Sequence, residues 1–241
     1  FPVAIRGDFD PCFLELPKEL LVMTMKHHQK YFPLSDGKGN LLPCFITISN
    51  MSAGEGHEIK NGNERVLRAR LEDARFFYNE DKKKNLDDFV EPLKGVVFQK
   101  KLGTLYEKME RICSLVRILS AHVCPDKEPQ ALRAGRLCKA DLVTLMVYEF
   151  PELQGIMGGY YATHSGEEPT VAQAIQEHYR PAFAGDDPPV SELGAVIAVA
   201  DKLDTILGCI GVGLIPSGSE DPYGLRRNAL GIIQIFLHRD W

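Results

Sequence analysis

The sequence predicts an α+β chain, with a β-rich first part over residues 1–95 and a mostly α-helical second part over residues 96–241. Three observations predict it. Asp36-Gly37 lies between two β-type runs and signals a hairpin turn. From about Glu64 the apolar residues recur at steps of three and four, the spacing of a helix face. Beyond residue 100, amphipathic stripes follow one another and stop near prolines.

Residues 1–50 read as strands. QKYFPL and LLPCFITISN flank SDGKGN and make the hairpin. Met23, Met25, His27, His28 and Lys30 in VMTMKHHQKYF suggest an alternating strand with a partly basic side, which either meets RNA phosphates or faces water. Adjacent histidines on a strand point to opposite faces and cannot share one ion. Asn61-Gly62-Asn63 reads as a second turn. The helix after it carries Val66, Leu67, Leu71, Ala74, Phe77 and Tyr78 on its apolar face, and Arg65, Arg68 and Arg75 as a candidate basic stripe. Glu64, Glu72 and Asp73 at ion-pair spacing make a solvated face the rival reading of that stripe. Lys82-Lys83-Lys84 and Pro92 precede a soft domain boundary near residue 95. Met109, Ile112, Val116, Leu119 and Val123 form a helix that ends before Pro125. Further helices are expected from Pro129 to Glu149, over Glu152–Tyr161, over Val171–Tyr179 and over Leu193–Cys209.

At 241 residues, with 44% apolar and 25% charged residues, the composition is that of a soluble globular protein. No apolar run approaches the roughly 18 residues of a membrane span. Six scattered cysteines form no CxxC pair and read as reduced thiols of a cytoplasmic protein. The N-terminus lacks a Met and a signal-type core, the C-terminus stops inside a helical pattern, and the chain reads as an internal piece of a longer protein. Net charge is −5 but uneven: Glu58–Arg117 carries 14 Lys/Arg against 11 Asp/Glu, while Asp141–Leu225 carries 2 against 13. A polyanion is repelled by the second stretch, so nucleic-acid contacts are expected from the first half or from Arg226-Arg227.

The chemistry-bearing residues are Asp141, His178 and Asp201. Asp141 falls on the apolar face of its expected helix with Ala134, Leu137, Leu145 and Tyr148, so its carboxylate must be met by a cation, a metal or several hydrogen-bond donors. Asp201 lies at the edge of a stripe formed by Val196, Val199, Ala200, Leu203 and Ile210, and His178 ends a helix. Two aspartates and a histidine on separate helices are a start on a divalent-metal site that activates water. Carboxylates satisfied by Arg or backbone N–H groups are the structural alternative. GCIGVG is a weak dinucleotide-loop match, and no P-loop or GxSxG occurs.

MKHHQKYFPL, GNERVLRARLEDARFFYNED, FQKKLGTLYEKMERI, CKADLVTLMVYEFPELQGIMGGYYA, ADKLDTILG and DPYGLRRNALGI, in this order from about Leu16 to Ile235, resemble the β subunit family of the bacterial heterotetrameric glycyl-tRNA synthetases. The resemblance implies the end of a B3/B4-like region over residues 1–95 and an HD-like helical domain over 96–241. It implies a cytoplasmic role supporting tRNA(Gly) binding and subunit assembly, beside an α subunit that holds the catalytic core and uses ATP and Mg. The segment itself is then non-catalytic and needs no cofactor. Basic residues Arg65, Arg68, Arg75, Lys100, Lys101, Arg226 and Arg227 are the expected tRNA contacts. Active HD phosphohydrolases carry an early His, a His-Asp dipeptide and a final Asp. Here Lys108 stands near the first position, Ala140 replaces the paired His, and Asp141 and Asp201 match the aspartates, with His178 resembling a downstream His. With two of four core ligands gone, a metal held by Asp141, His178 and Asp201 is not expected. The alternative is a residual HD-type metal-dependent phosphohydrolase acting on a nucleotide or on RNA phosphate ends.

Overall fold

The computed structural model describes residues 2–50, 56–218 and 220–241. It divides the chain into two compact units, 1–81 and 82–241, and among the described residues it is α+β, with its larger sheet in the first unit.

In the first unit a three-stranded antiparallel sheet has the order β1-β3-β2, with β1 at Val3–Asp8, β2 at Phe32–Ser35 and β3 at Leu41–Ser49. The expected hairpin is present. Asp36 closes it by accepting N–H groups from Lys38 and Asn40 at 2.8 and 2.9 Å. Tyr31 stacks on Phe45 with ring centroids 4.5 Å apart. Opposite Phe45 stands Gly7, and a Cβ there would lie 2.4 Å from the Phe45 ring. Phe45 is fully buried and has no room to yield, so Gly7→Ala is expected to cost about 1–3 kcal/mol. A denaturant midpoint equal to that of the unchanged protein would refute this.

Two expectations in this unit are corrected. VMTMKHHQKYF is not an alternating strand. Helix α1 (Lys18–Met23) runs into a wider helical turn, Thr24–His28, before β2 begins. Leu20, Leu21, Thr24 and Met25 are the buried residues here, and their spacing is that of a helix face, which outweighs the shorter-range alternation. Asn61-Gly62-Asn63 is not a turn either. It lies inside α2, which spans Gly56–Asp81. Asn63 donates to the Ile59 carbonyl at 2.8 Å and accepts the Tyr31 hydroxyl at 2.5 Å, so tertiary bonding offsets poor helix propensity of about 1 kcal/mol per Gly.

Residues 82–95, placed with the first part by sequence, belong to the second unit. Their two 3-10 turns, Leu86–Phe89 and Glu91–Gly95, bury Leu86, Phe89 and Leu93 there, and the Leu86 N–H donates to Ser165 Oγ at 2.9 Å. A short hairpin of β4 (Val97–Gln99) and β5 (Gly103–Thr104) leads into α3 (Leu105–Val123). Then follow α4 (Glu128–Leu137), α5 (Leu145–Glu149), α6 (Ile156–His164), α7 (Pro169–Glu177), α8 (Glu192–Gly211) and α9 (Leu225–Arg239). Helix α8 packs against α3, α4, α7 and α9, and its first half is buried on all sides. Ile210, expected in its core stripe, is 49% exposed, because only the first part of α8 is enclosed.

The helix expected from Pro129 to Glu149 is broken. After α4 comes a 3-10 turn, Ala140–Val143, and Thr144 then caps α5 by accepting the Val147 N–H at 3.3 Å. The break rotates the following face. Leu145 and Tyr148, expected inside, point outward, and Met146 and Val147 are buried instead. No helix among the described residues is long and apolar enough to cross a membrane.

Candidate functional site

Two short-range spacings build the centre of the second unit. Lys108 and Arg111 lie three residues apart on α3, and Asp201 and Asp204 lie three apart on α8, so each pair shares a helix face. Where α3 meets α8 the faces oppose each other. Lys108 Nζ is 2.9 Å from Asp201 Oδ1, 3.0 Å from Asp204 Oδ2 and 2.8 Å from the Thr205 hydroxyl, and 3.4 Å from the Asp201 carbonyl. Three ammonium protons cannot serve four oxygens, so the Asp201 Oδ1 contact is an ion pair without a directed hydrogen bond. Arg111 grips Asp204 with Nε at 2.6 Å and Nη2 at 3.3 Å, and gives Nη1 to the Leu102 carbonyl at 3.0 Å.

A third cation arrives from the turn before Ala140. Lys139 Nζ lies 2.7 Å from Asp201 Oδ2, 2.9 Å from His178 Nε2 and 3.9 Å from the centre of the Tyr179 ring. Ammonium groups only donate, so His178 Nε2 accepts. The other nitrogen, Nδ1–H, donates to the Ile175 carbonyl at 2.6 Å. The ring is therefore a neutral imidazole, and burial together with the Lys139 charge holds its pKa well below 6.5. Burial by itself pushes the Asp201 carboxyl up, but Lys108 and Lys139 outweigh it and hold that pKa well below 3.8. The result is a chain of alternating charge, Lys139–Asp201–Lys108–Asp204–Arg111, which runs from the 2%-exposed Lys139 side chain out to the 37%-exposed Arg111.

Asp141 is satisfied differently. Its Oδ2 accepts the N–H groups of Gly155 at 2.5 Å and Gly158 at 3.0 Å, at the N-terminus of α6. Gly155 holds φ at +79°, and a Cβ on Gly158 would sit 2.8 Å from Ile175 Cγ2, so both positions need glycine to bring backbone donors this close. Oδ1 is buried with no hydrogen-bond partner among the described residues. Burial raises the Asp141 pKa from 3.8 to about 6.

The structure thus brings Asp201 and His178 onto one ammonium and gives Asp141 to a helix end. Among the described residues no three His, Cys, Asp or Glu side chains gather as a metal-binding group. Sequence reasoning missed Lys139, Arg111, Thr205 and Tyr179. The matched i, i+3 pairs of opposite charge on α3 and α8 were the available signal for Arg111.

The basic candidates fall in both units. Arg65 and Arg68 are exposed on α2. Arg75 is half-buried, 4.9 Å from the centre of the Phe13 ring and 3.7 Å from Cys12 Sγ. In the second unit Lys100 and Lys101 sit on the β4–β5 turn, and Lys101 Nζ reaches the Val212 carbonyl at 3.3 Å. Phe98, edge-on to Tyr223 at 6.2 Å, ties that hairpin to the segment entering α9, where Arg226 and Arg227 are exposed. Arg226 is anchored there by Nη1 on the Gly218 carbonyl at 2.6 Å.

A family model described as glycyl-tRNA synthetase beta subunit matches residues 1–241. The chain is 56% identical over 241 residues to a glycine--tRNA ligase beta subunit of Geobacter sp. (strain M21) and 55% identical over 239 residues to that of Geobacter sulfurreducens. It is 51% identical over 239 residues to that of Desulforapulum autotrophicum. These matches cover 98–100% of the chain and 35% of each relative, so the chain spans about a third of their length.

Proposed function

The chain belongs to the glycyl-tRNA synthetase beta subunit family, and on that premise we propose that it supports tRNA(Gly) binding and subunit assembly for ATP-dependent glycylation of tRNA. The match along its whole length carries this reading. The chain works in the cytoplasm beside an α subunit that supplies the catalytic core and uses ATP and Mg. The first unit is the end of a B3/B4-like region, and the second is an HD-like domain kept for packing and contact.

The non-catalytic part of the reading is supported by the charge chain. The residues present do not fit a resident divalent ion: Ala140 contributes no ligand, Asp141 is committed to backbone N–H groups, and Asp201 and His178 both meet Lys139. The acidic stretch from Asp141 to Leu225 is also less repulsive than its composition suggests, since Asp201 and Asp204 are neutralised by cations from α3 and the Lys139 turn. Exposed Arg65, Arg68, Lys100, Lys101, Arg226 and Arg227, with half-buried Arg75, are left to meet the tRNA backbone.

Changing these seven residues to Ala in the assembled α–β enzyme is expected to weaken tRNA binding. The slope of log affinity against log salt should fall by about 0.7–0.9 for each phosphate that no longer meets a basic side chain. An unchanged affinity and slope would remove the tRNA contact from the proposal.

A further inference from the structure

The basic residues of the second unit come from two segments far apart in sequence, and a ring contact joins them. Lys100 and Lys101 lie on the β4–β5 turn, Arg226 and Arg227 on the first turn of α9, and Phe98 meets Tyr223 edge-on at 6.2 Å between the two. We propose that the buried charge chain positions these four cations through Phe98, so that they form one rim that takes the phosphate backbone of tRNA without reading its sequence. This rests on the tRNA-contact reading above and adds Phe98 and Tyr223 to it as positioning residues.

The charge chain seats Phe98. Lys108 Nζ, ion-paired to Asp201 and Asp204, lies 4.6 Å from the centre of the Phe98 ring. The turn that follows is held from several sides. Gln99 Oε1 accepts the N–H groups of Lys101 and Leu102 at 2.5 and 3.1 Å, and the Leu102 carbonyl accepts Arg111 Nη1 at 3.0 Å. The Leu102 side chain covers Gly208 of α8, where a Cβ would stand 3.1 Å from Leu102 Cδ1. Lys101 Nζ gives one proton to the Val212 carbonyl at 3.3 Å and keeps two for another acceptor. On the α9 side, Asp221 accepts the N–H groups of Leu225 and Arg226 at 2.7 and 2.9 Å and so fixes the start of the helix. Arg226 is tied to the Gly218 carbonyl, and the Arg227 guanidinium lies over Gly224. Among the described residues none of the four cations pairs with a carboxylate side chain. Phe98 is half-buried and taken up by Lys108 and Tyr223, so the rim presents charge and not an open ring. Charge without stacking or base-edge contacts meets phosphates and carries no sequence information.

Phe98→Leu keeps the apolar bulk but removes the ring, and Phe98→Tyr restores it. In the assembled α–β enzyme Phe98→Leu is expected to weaken tRNA(Gly) binding about three- to tenfold and to lower the slope of log affinity against log salt. Phe98→Tyr is expected to bind as the unchanged enzyme does. A non-cognate tRNA is expected to lose affinity by the same factor. Tyr223→Leu removes the same contact from the α9 side and replaces Phe98→Leu in the test if that variant does not fold. In an enzyme that already carries Lys100→Ala, Lys101→Ala, Arg226→Ala and Arg227→Ala, Phe98→Leu is expected to change nothing further, since no cation is left to position. An unchanged affinity and slope, a loss confined to tRNA(Gly), or an equal loss in the fourfold variant overturns the proposal. If the fourfold variant binds tRNA weakly while Phe98→Leu and Tyr223→Leu bind normally, the positioning role falls and the tRNA contact stands.

Discussion

Asp201→Asn is expected to destabilise the protein by about 3–5 kcal/mol, the cost of leaving buried charge without its counter-charge. Asp201 is the only carboxylate touching Lys139 among the described residues, and it shares Lys108 with Asp204. Both lysine side chains are at most 5% exposed, so water cannot take the place of the missing carboxylate. An exposed pair such as Lys94–Glu91 has an equally short N–O distance, 2.6 Å, yet belongs to a class worth at most about 1 kcal/mol. Burial, and not distance, sets the difference. The charge-chain explanation also makes the effect conditional. With Lys139→Met already present, Asp201→Asn should cost clearly less than it does alone, since one stranded ammonium has been removed. A denaturant double-mutant cycle measures this. Two strictly additive substitutions would mean that Lys139 and Asp201 do not depend on each other.

Much of this arrangement was legible in the sequence, and the remainder was hidden for physical reasons. The β2–β3 hairpin was readable because Asp36-Gly37 is local turn chemistry. The need of Asp141 for a partner was readable from its place in an apolar pattern. The partner was not, because Gly155 and Gly158 lie 14 and 17 residues further along and are presented by a separate helix. The Pro129–Glu149 helix was misread because no Gly or Pro marks its interruption. The break is fixed by the Thr144 cap and by inward-turned Lys139 and Asp141, which are tertiary effects. That same break delivers Lys139 to Asp201, so a missed boundary and a missed site residue have one cause. Lys108 was noticed as an absent ligand. Its role as a counter-ion depends on α3 facing α8, which periodicity along one helix does not reveal.

Asp141 and His178 are expected to pull the pH dependence of stability in opposite directions below about pH 6, and Asp141→Asn to expose the opposition. The folded pKa of Asp141 is raised from 3.8 to about 6, so its protonated form favours the folded state. The contribution is fully present below 3.8 and is lost as pH rises through about 6, roughly 3 kcal/mol at about 1.4 kcal/mol per pH unit. His178 acts in the opposite direction. Its folded pKa lies well below 6.5, so the unfolded chain takes up a proton that the folded chain refuses, and stability drains away as pH falls below 6.5. Over the window they share, the two slopes have opposite sign. Asn at 141 keeps a carbonyl oxygen for the Gly155 and Gly158 N–H groups but does not titrate. Unfolding free energies of the variant and the unchanged protein should therefore lie close together near pH 4. They should separate by about 3 kcal/mol, in favour of Asn, by pH 7. Between pH 6 and 4 the variant should lose about 1.4 kcal/mol per pH unit relative to the unchanged protein. Parallel curves from pH 4 to 7 would show that Asp141 ionises in the folded protein as it does in water, and that the α6 backbone donors fully compensate its burial.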